Sequence, residues 1–294
     1  MLEYFRPPVE KIQIPFFEIS DPAFFLLRED LNHPTVSGNK WWKLKLNLLG
    51  AKEENKSVVT FGGAFSNHIH ATAHACKILG IQSYGIIRGE RAATLSPTLI
   101  DAEQCGMKLQ FISREIYQNR NNASFLNLIQ NDFPSSLIIP EGGSNELAFQ
   151  GCALWAQYIL DCGFQFDHVV VATGTGSKLA GLIRGFEGRV KLTGIAVLKN
   201  GYFLNDVVKS FLETDPGNWE IQTGYHFGGY AQRHEIVDAL ISGMLESQNI
   251  PLDFVYTGKM MAAVSDLARQ GYFNNNSRVL LIHSGGLQGN RPVS

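Results

Sequence analysis

HVVVATGTGSKLAG, residues 168–181, joins a β-branched run to a glycine turn and then to a helix-forming stretch. Consecutive valines favour a strand buried on both faces, as in a parallel sheet. Gly174 and Gly176 interrupt it, and the residues from Ser177 onward have a helix's apolar spacing. Strand, tight turn and helix together form the unit from which α/β sheets are built. At such a helix start the free backbone N–H groups and the positive dipole end suit a phosphate. The stretch is not GxGxxG, because the glycine after Gly176 is Gly181, and Lys178 is misplaced for a Walker A loop. Read alone, it fits either a phosphate cradle or a plain strand-to-helix turn.

The same alternation extends in both directions. Apolar β-rich runs at Ser57–Phe61, Ser83–Ile87, Lys108–Ile112, Ser136–Pro140, Lys191–Val197 and Arg278–His283 read as strands. Between them, helical spacing covers Ser66–Leu79, Pro97–Gln104, Glu146–Leu160, Asn205–Leu212, Glu235–Glu246 and a stretch from Gly258. The pattern predicts parallel sheets flanked by helices on both faces. Asn274–Ser277 reads as a surface turn. With 294 residues, and roughly 150 per domain, two domains are expected.

Composition narrows the function. A hydrophobic fraction of 45% with 18% charged residues is that of a chain with a sizeable core. The net charge of −2 gives no field favouring nucleic acid or an anionic membrane. No apolar run approaches the roughly 20 residues that span a bilayer. The charged, proline-broken N-terminus is unlike a secretory signal. Cys76, Cys105, Cys152 and Cys162 lack metal or framework spacing, which suits reduced thiols in the cytoplasm.

Ligands of open parallel sheets bind beyond the carboxyl ends of strands. Three such ends are glycine-rich: Phe61–Asn67 (FGGAFSN), Ala172–Gly181 and His283–Gly289 (HSGGLQG). A fourth segment, Ser37–Lys45 (SGNKWWKLK), sets Lys40 after Gly-Asn and beside two tryptophans. Most lysines are surface charges, but these flanks point to a packed site where desolvation makes an amine nucleophilic. Lys43 shares the helical face of Lys40 and can meet a phosphate as a point charge. Ser66, Asn67 and His68 sit where a strand turns into a helix, so free N–H groups there can take a carboxylate. For Ser66 the plainer alternative is an N-cap. His70 and His74 stand four apart on one helix, but no carboxylate accompanies them there. They read as packing or cofactor-shell residues, and no metal is expected. A nucleotide-binding oxidoreductase lacks a fitting acidic residue at the ribose distance, and a non-catalytic binding module is the other competitor.

Taken in order, these segments resemble the fold-type II pyridoxal phosphate enzymes of the D-cysteine desulfhydrase and 1-aminocyclopropane-1-carboxylate deaminase group. The resemblance runs from Leu27-Arg28-Glu29-Asp30 to HSGG. It implies a two-domain α/β fold like that of the tryptophan synthase β chain, with residues 1–45 and 144–294 forming the larger domain and 46–143 the smaller. It also implies a Schiff-base lysine at Lys40 in SGNK, with Lys43 following it, and a serine and asparagine near substrate and cofactor at Ser66 and Asn67. A phosphate loop falls on Thr173, Gly174, Thr175, Gly176 and Ser177. Tyr256 in FVYTGK would lie against the cofactor ring, and Tyr230 in YHFGGYA near the substrate. Where the deaminases carry Glu and Leu, this chain has Thr257 and Ser284, as the desulfhydrases have hydroxyl residues. The implied reaction is β-elimination from a small amino acid such as D-cysteine, giving pyruvate, ammonia and sulfide. Ring-opening deamination is the alternative. A cytoplasmic homodimer is expected, with no nucleic-acid or membrane partner.

Overall fold

The computed structural model describes residues 2–16 and 22–291. Its strands in chain order are β1 (Val9–Ile12), β2 (Ala23–Leu27), β3 (Ser57–Gly62), β4 (Ser83–Arg88), β5 (Lys108–Ile112), β6 (Ser136–Ile139), β7 (His168–Thr173), β8 (Lys191–Ala196), β9 (Trp219–Gln222) and β10 (Arg278–Ile282). The helices are α1 (Asn39–Glu53), α2 (Asn67–Leu79), α3 (Pro97–Gln104), α4 (Arg114–Tyr117), α5 (Ala123–Asp132), α6 (Glu146–Leu160), α7 (Ser177–Phe186), α8 (Leu204–Phe211), α9 (Glu235–Gln248) and α10 (Thr257–Arg269).

Two sheets result. The larger has six strands in the order β1-β2-β10-β7-β8-β9, and the smaller has four in the order β5-β4-β3-β6. Every pairing is parallel except that of β1 with β2. β10 lies between β2 and β7, with Leu280 opposite both Phe25 and Val169. The valine run behaves as its composition demands. Val169 and Val171 enter a core shared with Trp42 and Leu48 of α1, Phe149 and Trp155 of α6, and Leu179 and Leu182 of α7. Val170 and Ala172 enter a second core with Leu240 and Met244 of α9 and Met260 and Val264 of α10. Two faces of one strand thus make two cores, the signature of a helix-covered parallel sheet. The smaller sheet repeats the plan, with α2 and α3 over one face and α4 and α5 over the other.

Sequence periodicity located most of these elements, with ends shifted by a residue or two. It did not reveal β1, β2 or β9, nor the helices α4 and α5. β1 (VEKI) and β9 (WEIQ) are four-residue edge strands, too short to establish a period. No helix among the described residues is long and apolar enough to cross a membrane.

The larger core is organised around a carboxylate. Glu29 is fully buried and accepts four hydrogen bonds: Tyr4 Oη at 3.0 Å, Trp155 Nε1 at 2.6 Å, Trp42 Nε1 at 3.3 Å and Asn32 Nδ2 at 2.5 Å. These donors belong to the N-terminal arm, α6, α1 and the turn before α1. Burial raises the Glu29 carboxyl to about 7, against the lowering effect of its donors. At Gly151 of α6, an added Cβ would come within 2.2 Å of the Trp42 carbonyl, so only glycine lets α1 pack this closely. Glu29→Gln would turn an amide NH2 toward donors and orphan at least one of them. Chemical denaturation should show a loss of about 1–3 kcal/mol, because a buried donor stripped of its acceptor costs that much. Unchanged stability would refute the role assigned to this carboxylate.

Candidate active site

α1 begins under an unusual constraint. Gly38 has φ +68°, and an added Cβ would sit 2.1 Å from the carbonyl oxygen of Ser284, just beyond β10. No side chain fits there, and few adopt that φ. The Gly38 N–H donates to the Glu29 carbonyl at 2.8 Å and to Asn32 Oδ1 at 2.9 Å, while the Asn39 N–H donates to the Ser284 carbonyl at 3.3 Å. Lys40, the second residue of α1, is thereby fixed beside the end of β10. Among the described residues, no hydrogen bond or ion pair engages its Nζ. Burial, then the charges of Lys43 and Lys178, hold its amine well below the ordinary lysine value.

Lys43, one turn further along α1, is buried and donates to the Gly142 carbonyl at 2.9 Å and to Thr175 Oγ1 at 3.2 Å. It thus ties the loop after β6 to the turn after β7, and burial lowers it to about 8. Lys178 was not among the expected site residues. It is buried near the start of α7, and desolvation followed by Lys43 brings it to about 7. Its sequence signal was its place directly after the GTGS turn.

That turn supplies a test of the phosphate reading. Thr173 and Ser177 are buried, and neither hydroxyl has a partner among the described residues. Orphaned buried hydroxyls are costly. They flank Gly176, the N-cap of α7, where the first helical N–H groups have no intrahelical acceptor. A dianionic phosphate has the acceptor oxygens to satisfy them together, and Lys43 adds a cation. The residues present fit the phosphate of pyridoxal phosphate.

The opposing wall comes from the smaller sheet. Ser66 is the N-cap of α2, its Oγ accepting from the Ile69 N–H at 3.3 Å, so the capping role holds and leaves the hydroxyl proton free. Asn67 accepts through Oδ1 from Gln288 Nε2, which joins α2 to the segment after β10. His68 is buried, with Nε2 2.8 Å from Thr60 Oγ1. The Thr60 hydroxyl donates its only proton to the Ile139 carbonyl at 2.8 Å, so His68 must donate through Nε2. Its Nδ1 is left as a buried lone pair with no partner among the described residues. Burial, then Lys40 and Lys43, hold the imidazole well below its ordinary value, so it is neutral.

The aromatic pair lies on the side of the larger sheet. The Tyr256 ring packs against Gly174, with Cε1 3.3 Å from where a Cβ would stand. Tyr230 meets Tyr256 edge-on, their centroids 6.1 Å apart at 74°. Lys259 of α10 donates to the carbonyls of His226 at 2.8 Å and Gly229 at 2.6 Å, pinning the loop that presents Tyr230. Thr257 is fully buried, its hydroxyl donating to Asp253 Oδ1 at 2.7 Å and accepting from the Asp253 N–H at 2.8 Å. The Asp253 carboxylate also accepts from the N–H groups of Val255, Tyr256 and Thr257 at 2.8–2.9 Å, capping α10. Thr257 therefore has no hydroxyl proton in reserve, whereas among the described residues no partner engages the Ser284 hydroxyl. Asp253 and Thr60 were not anticipated, because each acts only through a neighbour brought close by folding.

Comparison with known proteins agrees with this geometry. The family model for "Pyridoxal-phosphate dependent enzyme" matches residues 4–285. The chain is similar to the bifunctional D-cysteine desulfhydrase/1-aminocyclopropane-1-carboxylate deaminase of Arabidopsis thaliana, at 25% identity over 98% of this chain and 78% of the relative. It is equally similar to the D-cysteine desulfhydrase of Yersinia enterocolitica, at 25% identity over 95% of this chain and 91% of the relative. A crystal structure of an ACC deaminase homologue superposes with TM-score 0.82 at 27% identity, covering 99% of this chain and 92% of that one. A family match over residues 4–285 and a fold shared over nearly the whole chain lead to one conclusion: the chain belongs to the pyridoxal-phosphate dependent enzymes.

Proposed function

We propose that this enzyme eliminates a β-substituent from a small amino acid, D-cysteine being the preferred candidate, with release of pyruvate, ammonia and sulfide. Lys40 would hold the cofactor's carbonyl carbon. Thr173, Gly174, Thr175, Gly176 and Ser177 would hold its phosphate with Lys43, and Tyr256 would lie against its ring. Bound pyridoxal phosphate supplies an electron-withdrawing ring that weakens the Cα–H bond of an attached amino acid. The N–H groups at the start of α2, with Ser66 and Asn67, would orient the substrate carboxylate. The Lys40 amine, its basicity lowered by burial, would take the Cα proton. The bare Nδ1 of His68 and the phenols of Tyr256 and Tyr230 offer further proton sites. We assign residues 46–143, around the smaller sheet, to one domain and the rest to the other, with the reaction in the cleft between them.

One observation carries the preference for β-elimination: neither Thr257 nor Ser284 is a carboxylate, and the nearby Asp253 is committed to capping α10. A ring nitrogen facing a hydroxyl is not held protonated as it would be beside a glutamate. Expelling thiolate needs less electron withdrawal than opening a cyclopropane, because the charge departs with the leaving group. The free hydroxyl of Ser284 makes it the better candidate to face that nitrogen, with Thr257 acting through Asp253. Deamination of 1-aminocyclopropane-1-carboxylate, an activity named for the Arabidopsis relative, is the alternative. Four free cysteines accord with a cytoplasmic enzyme, and the homodimer rests on the family resemblance.

Borohydride reduction followed by peptide mapping should place the cofactor label on Lys40; label on Lys43 or Lys178 would overturn the assignment. Lys43→Gln should weaken cofactor retention by about ten- to a hundredfold, the loss of one charge-assisted hydrogen bond. Equilibrium dialysis showing unchanged retention would remove Lys43 from the phosphate site.

Thr257 and Ser284 are separable. Thr257→Val should cost about 1–3 kcal/mol of stability by orphaning groups of Asp253. Ser284→Ala should leave stability nearly unchanged while altering the cofactor's visible absorbance. The unmodified protein should release sulfide from D-cysteine and act poorly on the cyclopropane substrate. Strong ring opening without sulfide release would reverse the substrate preference while leaving the cofactor site intact.

A further inference from the structure

A second convergence of ligating side chains lies in the smaller sheet's helical layer. α2 carries His70 and His74 four residues apart; α3, packed against it, carries Asp101, and Cys105 caps its C-terminal end. The carboxylate that α2 lacks in sequence is supplied by α3 in space. We propose that His70, His74 and Asp101 bind a divalent transition-metal ion of zinc's class, with Cys105 orienting His74.

One ligand atom from each of the three residues lies within 4.8 Å of the other two. His70 Nε2 and Asp101 Oδ2 are 3.2 Å apart. A tetrahedral zinc site with bonds of about 2.0–2.1 Å has edges of roughly 3.3–3.4 Å, close to the His70–Asp101 separation, and His74 would close in on that pair. His74 Nδ1 lies 3.4 Å from Cys105 Sγ, while its buried Nε2 has no partner among the described residues. That division matches a metal-bound imidazole, in which one nitrogen ligates and the other is held by a neighbour. Two imidazoles and a carboxylate select zinc or its neighbours over calcium or magnesium, which prefer oxygen.

The competitor is Arg291, whose Nη2 lies 2.6 Å from Asp101 Oδ2. Its side chain is 40% exposed, so it can move aside, and the carboxylate has a second oxygen. The cluster lies beyond the first turn of α2 and shares no residue with the cofactor site. Bound there, an ion would clip α2 to α3 and raise the stability of the smaller sheet's helical layer.

The test uses EDTA-treated holoenzyme titrated with Zn²⁺ by calorimetry and with Co²⁺ by visible spectroscopy. One ion should bind per chain, Co²⁺ should show the intense d–d bands of tetrahedral coordination, and Zn²⁺ should raise the melting temperature. His74→Ala and Asp101→Asn should each weaken Zn²⁺ binding by at least about 100-fold, since loss of an outer-shell partner alone costs roughly 10–100-fold. Arg291→Gln should tighten it, a gain that does not depend on how the ligand variants fold. Absence of stoichiometric Zn²⁺ binding, or binding that survives removal of both His70 and His74, would overturn the proposal.

Discussion

A carboxylate shut away from water holds the arrangement together. Glu29 draws the N-terminal arm, α1 and α6 onto one point, and its backbone carbonyl takes the N–H of Gly38. An ionised group this deeply buried is tolerable only when its lone pairs are filled. Each of its four donors therefore has a fixed place. That rigidity lets Gly38 press against the Ser284 carbonyl and fixes the backbone of Lys40 beside the end of β10. Displacing any one of the three elements would displace the amine.

The electrostatics of the site follow from what this packing excludes. Lys40, Lys43 and Lys178 share the interior without a carboxylate bonded to any of them among the described residues. Desolvation is the first cause of each lowered pKa, and mutual repulsion among the amines adds to it for Lys40 and Lys178. Such a cluster is unfavourable for the isolated fold and favourable for an anion. A ligand carrying negative charge recovers that cost on binding, so affinity and stability are linked here. The orphaned hydroxyls of Thr173 and Ser177 act in the same direction.

Much of this was legible in the sequence, for identifiable reasons. Parallel strands buried on both faces announce themselves as valine and isoleucine runs, and helices over them by apolar spacing. Loops at strand ends were visible because close backbone approach demands glycine. What escaped was relational. Edge strands β1 and β9 have too few residues to show a period. Lys178 looked like a misplaced loop residue until its burial beside Lys43 was seen. The commitment of the Thr257 hydroxyl depends on Asp253, four residues earlier, and on a helix cap whose geometry is set by folding. The histidines of α2 had a carboxylate neighbour, but on another helix about thirty residues away.

The strand order has a consequence in time. β3 to β6 are contiguous in the chain and can pair as they are made. β10, by contrast, must enter between β2 and β7, joining residues about 250 positions apart. Contacts of such long range are slow to form, because the chain between them must first be closed into a loop. During synthesis, β2 and β7 each have an edge that only β10 can fill. Ser284, against which Gly38 seats, follows β10 directly. Lys40 thus acquires its chemical setting only once β10, which comes much later in the chain, has paired, and its reactivity is deferred until then.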